Sequence, residues 1–209
     1  MSLTTTGKTL NRFVLALTSG GGLETPSQAL DKLGIDHQLE FYCEKELHLR
    51  HFVAASFRPN YIIADVLDRD SKVMPYCDLF CWGSPCQPFS KLGLQLGLED
   101  LKRRGILLFG SIDYIKEKRP KVLLAENVLN LIQKFKAEFQ RLVQILQDLG
   151  YKIYWDTVNS YDNNLHQSRN RVYLVGFHTT VQPSLKKRPF VFLPSWTTGF
   201  PCNNARRNM

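Results

Sequence analysis

The chain has 209 residues, with 27 Lys and Arg against 19 Asp and Glu, a formal net charge of +8. Hydrophobic residues make up 44% and charged residues 22%, which excludes a disordered or collagen-like chain and fits one domain with a substantial core. The apolar runs are far shorter than a membrane span, and the opening MSLTTTGKTLNR lacks the apolar stretch of a signal peptide. A soluble, intracellular protein is expected.

Read in chain order, short apolar runs alternate with helical stretches. Arg12–Thr18 reads as a strand that runs into Ser19-Gly20-Gly21-Gly22, followed by a helix around Pro26–Leu33. Leu39–Cys43 reads as a second strand and Lys45–Ser56 as a helix. Tyr61–Asp65 and Asp78–Trp82 read as the third and fourth strands. Gly105–Lys118 suits a helix closed before Pro120, and Lys121–Ala125 a buried strand. From Ile132 to Leu149 the apolar residues step by three and four, which predicts one continuous helix stopped by Gly150. Tyr151–Val158 and Arg171–Phe177 complete the set as strands. This alternation predicts an α/β fold with a mostly parallel sheet and helices on both faces.

The excess charge is unevenly placed. Residues 163–209 hold seven basic residues (Arg169, Arg171, Lys186, Lys187, Arg188, Arg206 and Arg207) and no acidic one, interleaved with Phe190, Phe192, Trp196 and Phe200. A polyanionic partner follows from that asymmetry, although a solvated basic tail is the plainer alternative. The domain reading is therefore 1–178 for the main α/β unit and 179–209 for a basic tail. Five cysteines, at 43, 77, 81, 86 and 202, are an odd number and argue against a disulfide framework. Cys77 and Cys81 lack the second half of a zinc spacing, and Cys81 in an apolar run reads as a small buried thiol, so no metal site is expected.

Ligands of such a sheet bind beyond the carboxyl ends of its strands. The residues expected there are the loop Gly20–Gly22, Glu44, Asp65, Gly83–Ser90 and Glu126-Asn127, all of small, acidic or reactive type. The glycines allow close approach of a ligand to the backbone, but Thr25 stands where a dinucleotide fingerprint needs its third glycine. Glu44, 24 residues after Gly20, is where an acidic side chain holds the ribose hydroxyls of an adenosine. Asp65 is placed to accept from an adenine amino group. Either carboxylate alone could be surface charge; both at successive strand ends favour a ligand. With no Lys-Ser/Thr pair to hold phosphates, an adenosine lacking them fits better, and S-adenosylmethionine is the obvious one.

The sharpest motif is Gly83-Ser84-Pro85-Cys86-Gln87-Pro88-Phe89-Ser90. A cysteine stiffened between two prolines just past a strand is placed as a nucleophile. With Glu126-Asn127-Val128 and Gln167-Ser168-Arg169-Asn170-Arg171 following in that order, the sequence resembles the cytosine-5 methyltransferase family. Leu98-Glu99-Asp100 with Arg104-Gly105 resembles the segment between, which also lines the cofactor pocket. The matches span roughly residues 13–177.

The resemblance implies a class I, Rossmann-like fold that binds S-adenosylmethionine through Gly20, Gly22, Glu44, Asp65, Pro85 and Leu107. It further implies methyl transfer to C5 of a DNA cytosine. Cys86 would add to C6 and leave C5 enamine-like, while Glu126 shares a proton at N3. Arg169 and Arg171 would orient the base, Arg171 being the better candidate for the cytosine carbonyl oxygen. The target base would be flipped out of the duplex, since C6 is shielded within the stack.

Two departures from the family stand out. Thr18 occupies the position of an aromatic residue that stacks on adenine, and Ala16 that of an acidic residue. The chain also ends 38 residues after Arg171, short of the family's target-recognition region and closing segment. Phe190-Val191-Phe192-Leu193-Pro194 resembles the lead-in to that region. A partner chain or further segment is expected to supply the rest. Alternatives left open are an inactive or regulatory subunit that retains the fold, and a tRNA cytosine-5 methyltransferase.

Overall fold

The computed structural model describes residues 13–18, 23–83, 105–163 and 166–181. Among these residues seven strands form one sheet: β1 Phe13–Thr18, β2 His37–Cys43, β3 Tyr61–Ile63, β4 Leu79–Gly83, β5 Val122–Val128, β6 Tyr151–Asn159 and β7 Asn170–His178. Their order is β3-β2-β1-β4-β5-β7-β6. The pairs β1–β2, β2–β3, β1–β4 and β4–β5 are parallel, whereas β7 runs antiparallel between β5 and β6. The order reverses between β1 and β4, so the ligand crevice of an open α/β sheet lies beyond the ends of those two strands.

The faces are unequal. One carries a large core in which Phe41, Phe80, Trp82, Leu123 and Leu174 pack under α3 (Gly105–Lys118) and α5 (Lys136–Asp148). The other buries Leu15, Leu39, Tyr42 and Cys81 with Leu30 of α1 (Thr25–Lys32) and Val53 of α2 (Leu47–Phe57). Alternation of side chains produces this division, since Phe41 and Tyr42, or Phe80 and Cys81, are neighbours that point to opposite cores, and a register shift at Glu40 of β2 puts Leu39 and Phe41 on opposite faces as well. Cys81 is a buried thiol, as its apolar run indicated, and burial holds its pKa well above the ordinary range.

Below the crevice the strand starts are tied together. Asp78 accepts from the Val14 amide at 3.0 Å through Oδ2 and from Lys121 Nζ at 2.7 Å through Oδ1, joining β1, β4 and β5. After β3 a single 3₁₀ turn, Val66–Asp68, leads to Arg69, which is buried among rings of three elements. Its guanidinium carbon lies 5.0 Å from the Tyr114 ring centroid, 5.8 Å from Phe41 and 5.9 Å from Phe80, a cation–π arrangement that anchors the segment following Asp65.

Two sequence expectations need correction. The single helix Ile132–Leu149 is in fact two, α4 (Asn130–Gln133) and α5, separated at Phe135 with φ −115° and ψ 44°. The amides of Lys134 and Phe135 both donate to Asn130 O, which closes α4 and lets Phe135 pack against the large core. No glycine or proline marks that break. Gly150, by contrast, ends α5 with φ +88°, the left-handed conformation expected of it. The second correction concerns β5, which continues to Val128, so Glu126-Asn127 lie within the strand rather than just after it. Their extra pairs, Glu126 with Tyr173, Asn127 with Val172 and Val128 with Arg171, come from β7.

Candidate active site

Glu126 sits between Gly83 at the end of β4 and Tyr173 on β7, its two register partners. Arg171 is two residues before Tyr173 on β7, so it shares a face of the sheet with Tyr173 and Glu126. Arg171 Nε lies 2.8 Å from Glu126 Oε1, and Arg169 Nη2 lies 3.7 Å from the same oxygen. The Glu126 side chain is 33% exposed, Arg171 22% and Arg169 51%. The cluster is thus open to solvent on the Arg169 side. Arg171 Nη1 also donates to Asn170 O at 2.8 Å, which fixes the guanidinium plane. Burial first, and the Glu126 charge second, raise the pKa of the adjacent Tyr173 hydroxyl, with both arginines opposing. The acid and the paired arginines, distant in sequence, form one group of charges.

A second pair of acids stands across the switch point. Glu44 follows β2 and is buried; its amide donates to Ile63 O at 3.1 Å, which brings the ends of β2 and β3 side by side. Glu44 Oε1 accepts from the Glu46 amide at 3.1 Å, which orients the carboxylate. Asp65, two residues past β3, lies 3.9 Å from Lys45 Nζ. A buried, oriented carboxylate with a second acid at the next strand end suits the hydroxyl and amino donors of an adenosine, so these residues fit S-adenosylmethionine.

Of the other expected site residues, Gly20, Gly22, Pro85 and Cys86 lie outside the described residues. Leu107 lies in the first turn of α3, but its side chain is also outside them. Cys86 follows three residues after Gly83, the β4 neighbour of Glu126. Among the described residues no cluster of His, Cys, Asp or Glu could hold a metal ion. No helix among them is long and apolar enough to cross a membrane.

Sequence reasoning passed over Glu24. It immediately precedes α1, adopts a left-handed backbone with φ 58°, and is wholly buried. Its Oε1 accepts from the Ser27 amide at 3.3 Å and the Ser27 hydroxyl at 2.8 Å, capping the helix that follows the glycine loop. Oε2 is buried with no hydrogen-bond partner among the described residues. Burial pushes its carboxyl up to about 7, against the favourable Ser27 bonds and the His37 charge. The only signal was a Glu set two residues before a Pro at a helix start.

Strand order, the antiparallel β7 and acids at the ends of β2 and β3 define the class I S-adenosylmethionine-dependent methyltransferase fold. Solved structures agree: S. pombe Dnmt2 methyltransferase superposes with a TM-score of 0.63 at 17% identity, over 80% of this chain and 50% of that one. The chain belongs to the C-5 cytosine-specific DNA methylase family, whose model matches residues 21–195. It is 34% identical over 167 residues to the orphan methyltransferase M.Rho11sI of Bacillus phage rho11s, covering 78% of this chain and 32% of that protein. It is 36% identical over 142 residues to the type II methyltransferase M.NgoBI of Neisseria gonorrhoeae, covering 68% of this chain and 44% of that protein. The chain therefore spans less than half the length of these two relatives.

Proposed function

We propose that this chain is the catalytic portion of an enzyme that methylates C5 of cytosine in DNA. The observation that carries this reading is the convergence of Glu126, Arg169 and Arg171 beside the end of β4, the strand that leads to Cys86.

The Cys86 thiolate adds to C6 of the pyrimidine, and the electrons of the C5–C6 double bond move toward N3. Glu126 shares a proton with N3 and so neutralises the developing charge. Both arginines engage Glu126 Oε1, and Oε2 is the oxygen assigned to the base. Arg169, the more exposed of the two, is set to steer the polyanion, whereas Arg171 fixes the acid and reaches the cytosine carbonyl oxygen. S-adenosylmethionine, held by Glu44 and Asp65 and by the glycine loop, supplies an electrophilic methyl group when bound. Loss of the C5 proton to a base then restores the double bond and expels the Cys86 thiolate.

A labelled methyl group followed into unmethylated plasmid DNA tests this, with the chain alone and with any partner polypeptide. On DNA carrying 5-fluorocytosine, which cannot lose a C5 proton, the protein should form a covalent adduct that Cys86→Ser abolishes. Normal methylation by the Ser variant would remove Cys86 from its role, and transfer to RNA but not DNA would reassign the substrate.

A further inference from the structure

The two arginines are held by different means. Arg171 is within β7, paired with Val128 on one side and Val158 on the other, so the sheet fixes it. Arg169 precedes the first β7 residue, Asn170, and has no ladder partner to set its direction. The end of β6 does this instead. Asn159 Oδ1 accepts from the Arg169 amide at 3.1 Å and from the Tyr161 amide at 3.0 Å, while its Nδ2 donates to Ser168 Oγ at 3.1 Å. Ser160 adds a second clamp: its amide donates to Arg169 O at 3.1 Å, its Oγ accepts from the Arg169 amide at 3.1 Å, and its hydroxyl donates to Gln167 O. Asn163 Nδ2 in turn donates to Asn159 O at 2.9 Å, closing the turn onto the same residue.

One asparagine side chain thus bonds both sides of the β6–β7 connection at its base, and two of its three bonds fall on Ser168 and Arg169. We propose that Asn159 is a positioning residue, which sets the Arg169 backbone so that its guanidinium reaches Glu126. The inference rests on the methyltransferase reading above. Its consequence is specific: removing the Asn159 side chain takes away one of the two acceptors of the Arg169 amide and the partner of Ser168 Oγ, leaves Gln167–Arg169 held by Ser160 alone, and leaves Arg171, Glu126 and the adenosine-binding acids where they are. Glu44 and Asp65 are at the ends of β2 and β3, on the other side of β1.

The test is a double-mutant cycle in the full chain, joined by any partner it needs for activity, with unmethylated plasmid DNA and S-adenosylmethionine. Asn159→Ala should lower kcat about 10-fold or more, within the range a misplaced catalytic group costs, while KM for S-adenosylmethionine stays unchanged. The Asn159→Ala/Arg169→Ala double variant should be no slower than Arg169→Ala alone, because both changes remove the same interaction. Asn159→Asp keeps the acceptor for the Arg169 amide and should recover most of the rate. Hydrogen exchange at the Arg169 amide should accelerate in Asn159→Ala and not in Asn159→Asp, a comparison that does not depend on turnover. Full additivity in the cycle, or unchanged exchange at Arg169, would overturn the proposal. A wild-type chain that transfers no methyl group defeats the functional reading, while the exchange comparison still judges the clamp.

Discussion

Glu24 offers a quantitative test of how the start of α1 is built. Its carboxyl titrates near 7 in the fold, against an ordinary value of 4.5, because burial disfavours the charge more than Ser27 and His37 support it. The groups that sense it from the sheet, Tyr42 on β2 and Cys81 on β4, are raised first by their own burial, with the Glu24 charge adding to it, and a neutral phenol and a neutral thiol bring no positive charge to support the carboxylate. A raised folded-state value means that the native protein binds the proton more tightly than the unfolded chain. The associated stability is fully present below pH 4.5, declines as pH rises, and is lost above 7. At about 1.4 kcal/mol per pH unit, the interval between the two values corresponds to a loss of roughly 3 kcal/mol.

Glu24→Gln keeps an acceptor for Ser27 but cannot ionise. The difference in unfolding free energy between variant and wild type should therefore move by about 3 kcal/mol in the variant's favour between pH 4.5 and 8. Urea unfolding at four or five pH values measures it, with the slope m checked for constancy. Taking the difference cancels the titration of every other group. Two stability curves that run parallel across this range would show that Glu24 ionises without penalty, and the account of its burial would be wrong.

Other expectations follow from single contacts. Arg171→Lys cannot reproduce the Nε bond to Glu126 and its second bond to Asn170 O, so methyl transfer should fall at least 100-fold, a magnitude typical of a lost preorganised contact, with the fold intact by circular dichroism. Asp78→Ala leaves the Val14 amide and Lys121 without their shared acceptor and should cost about 2 kcal/mol in denaturant unfolding. A Cβ on Gly176 would lie 3.0 Å from Ile153 Cδ1 and 3.2 Å from Leu123 Cδ1. Gly176→Val should therefore lower stability by about 1–3 kcal/mol, read as a drop in thermal midpoint.

Much of the architecture is local and so could be read before folding is considered. Short apolar runs between turn residues located these seven strands, and most helix limits, to within a few residues, because an element buried in the sheet is marked by its own apolar residues. The same holds for Glu44, Asp65 and Gly150, whose places depend on the element each one ends. The break at Phe135 was hidden, since the apolar spacing of Ile132, Phe135 and Phe139 satisfies a continuous helix and a bent pair alike. So was the length of β5, whose last two residues, Asn127 and Val128, pair with β7 alone.

The chemistry divides in the same way. Residue types adjacent in the chain, such as the prolines around Cys86 or the spaced arginines at 169 and 171, announce themselves in the sequence. That Arg171 meets Glu126 at 2.8 Å depends on an antiparallel strand inserted between β5 and β6, and hence on pairing over about 45 residues of chain. The burial of Glu24 and the grip of Asn159 on Arg169 are likewise properties of packed neighbours. Free energies of desolvation and of hydrogen bonding exist only once those neighbours are in place.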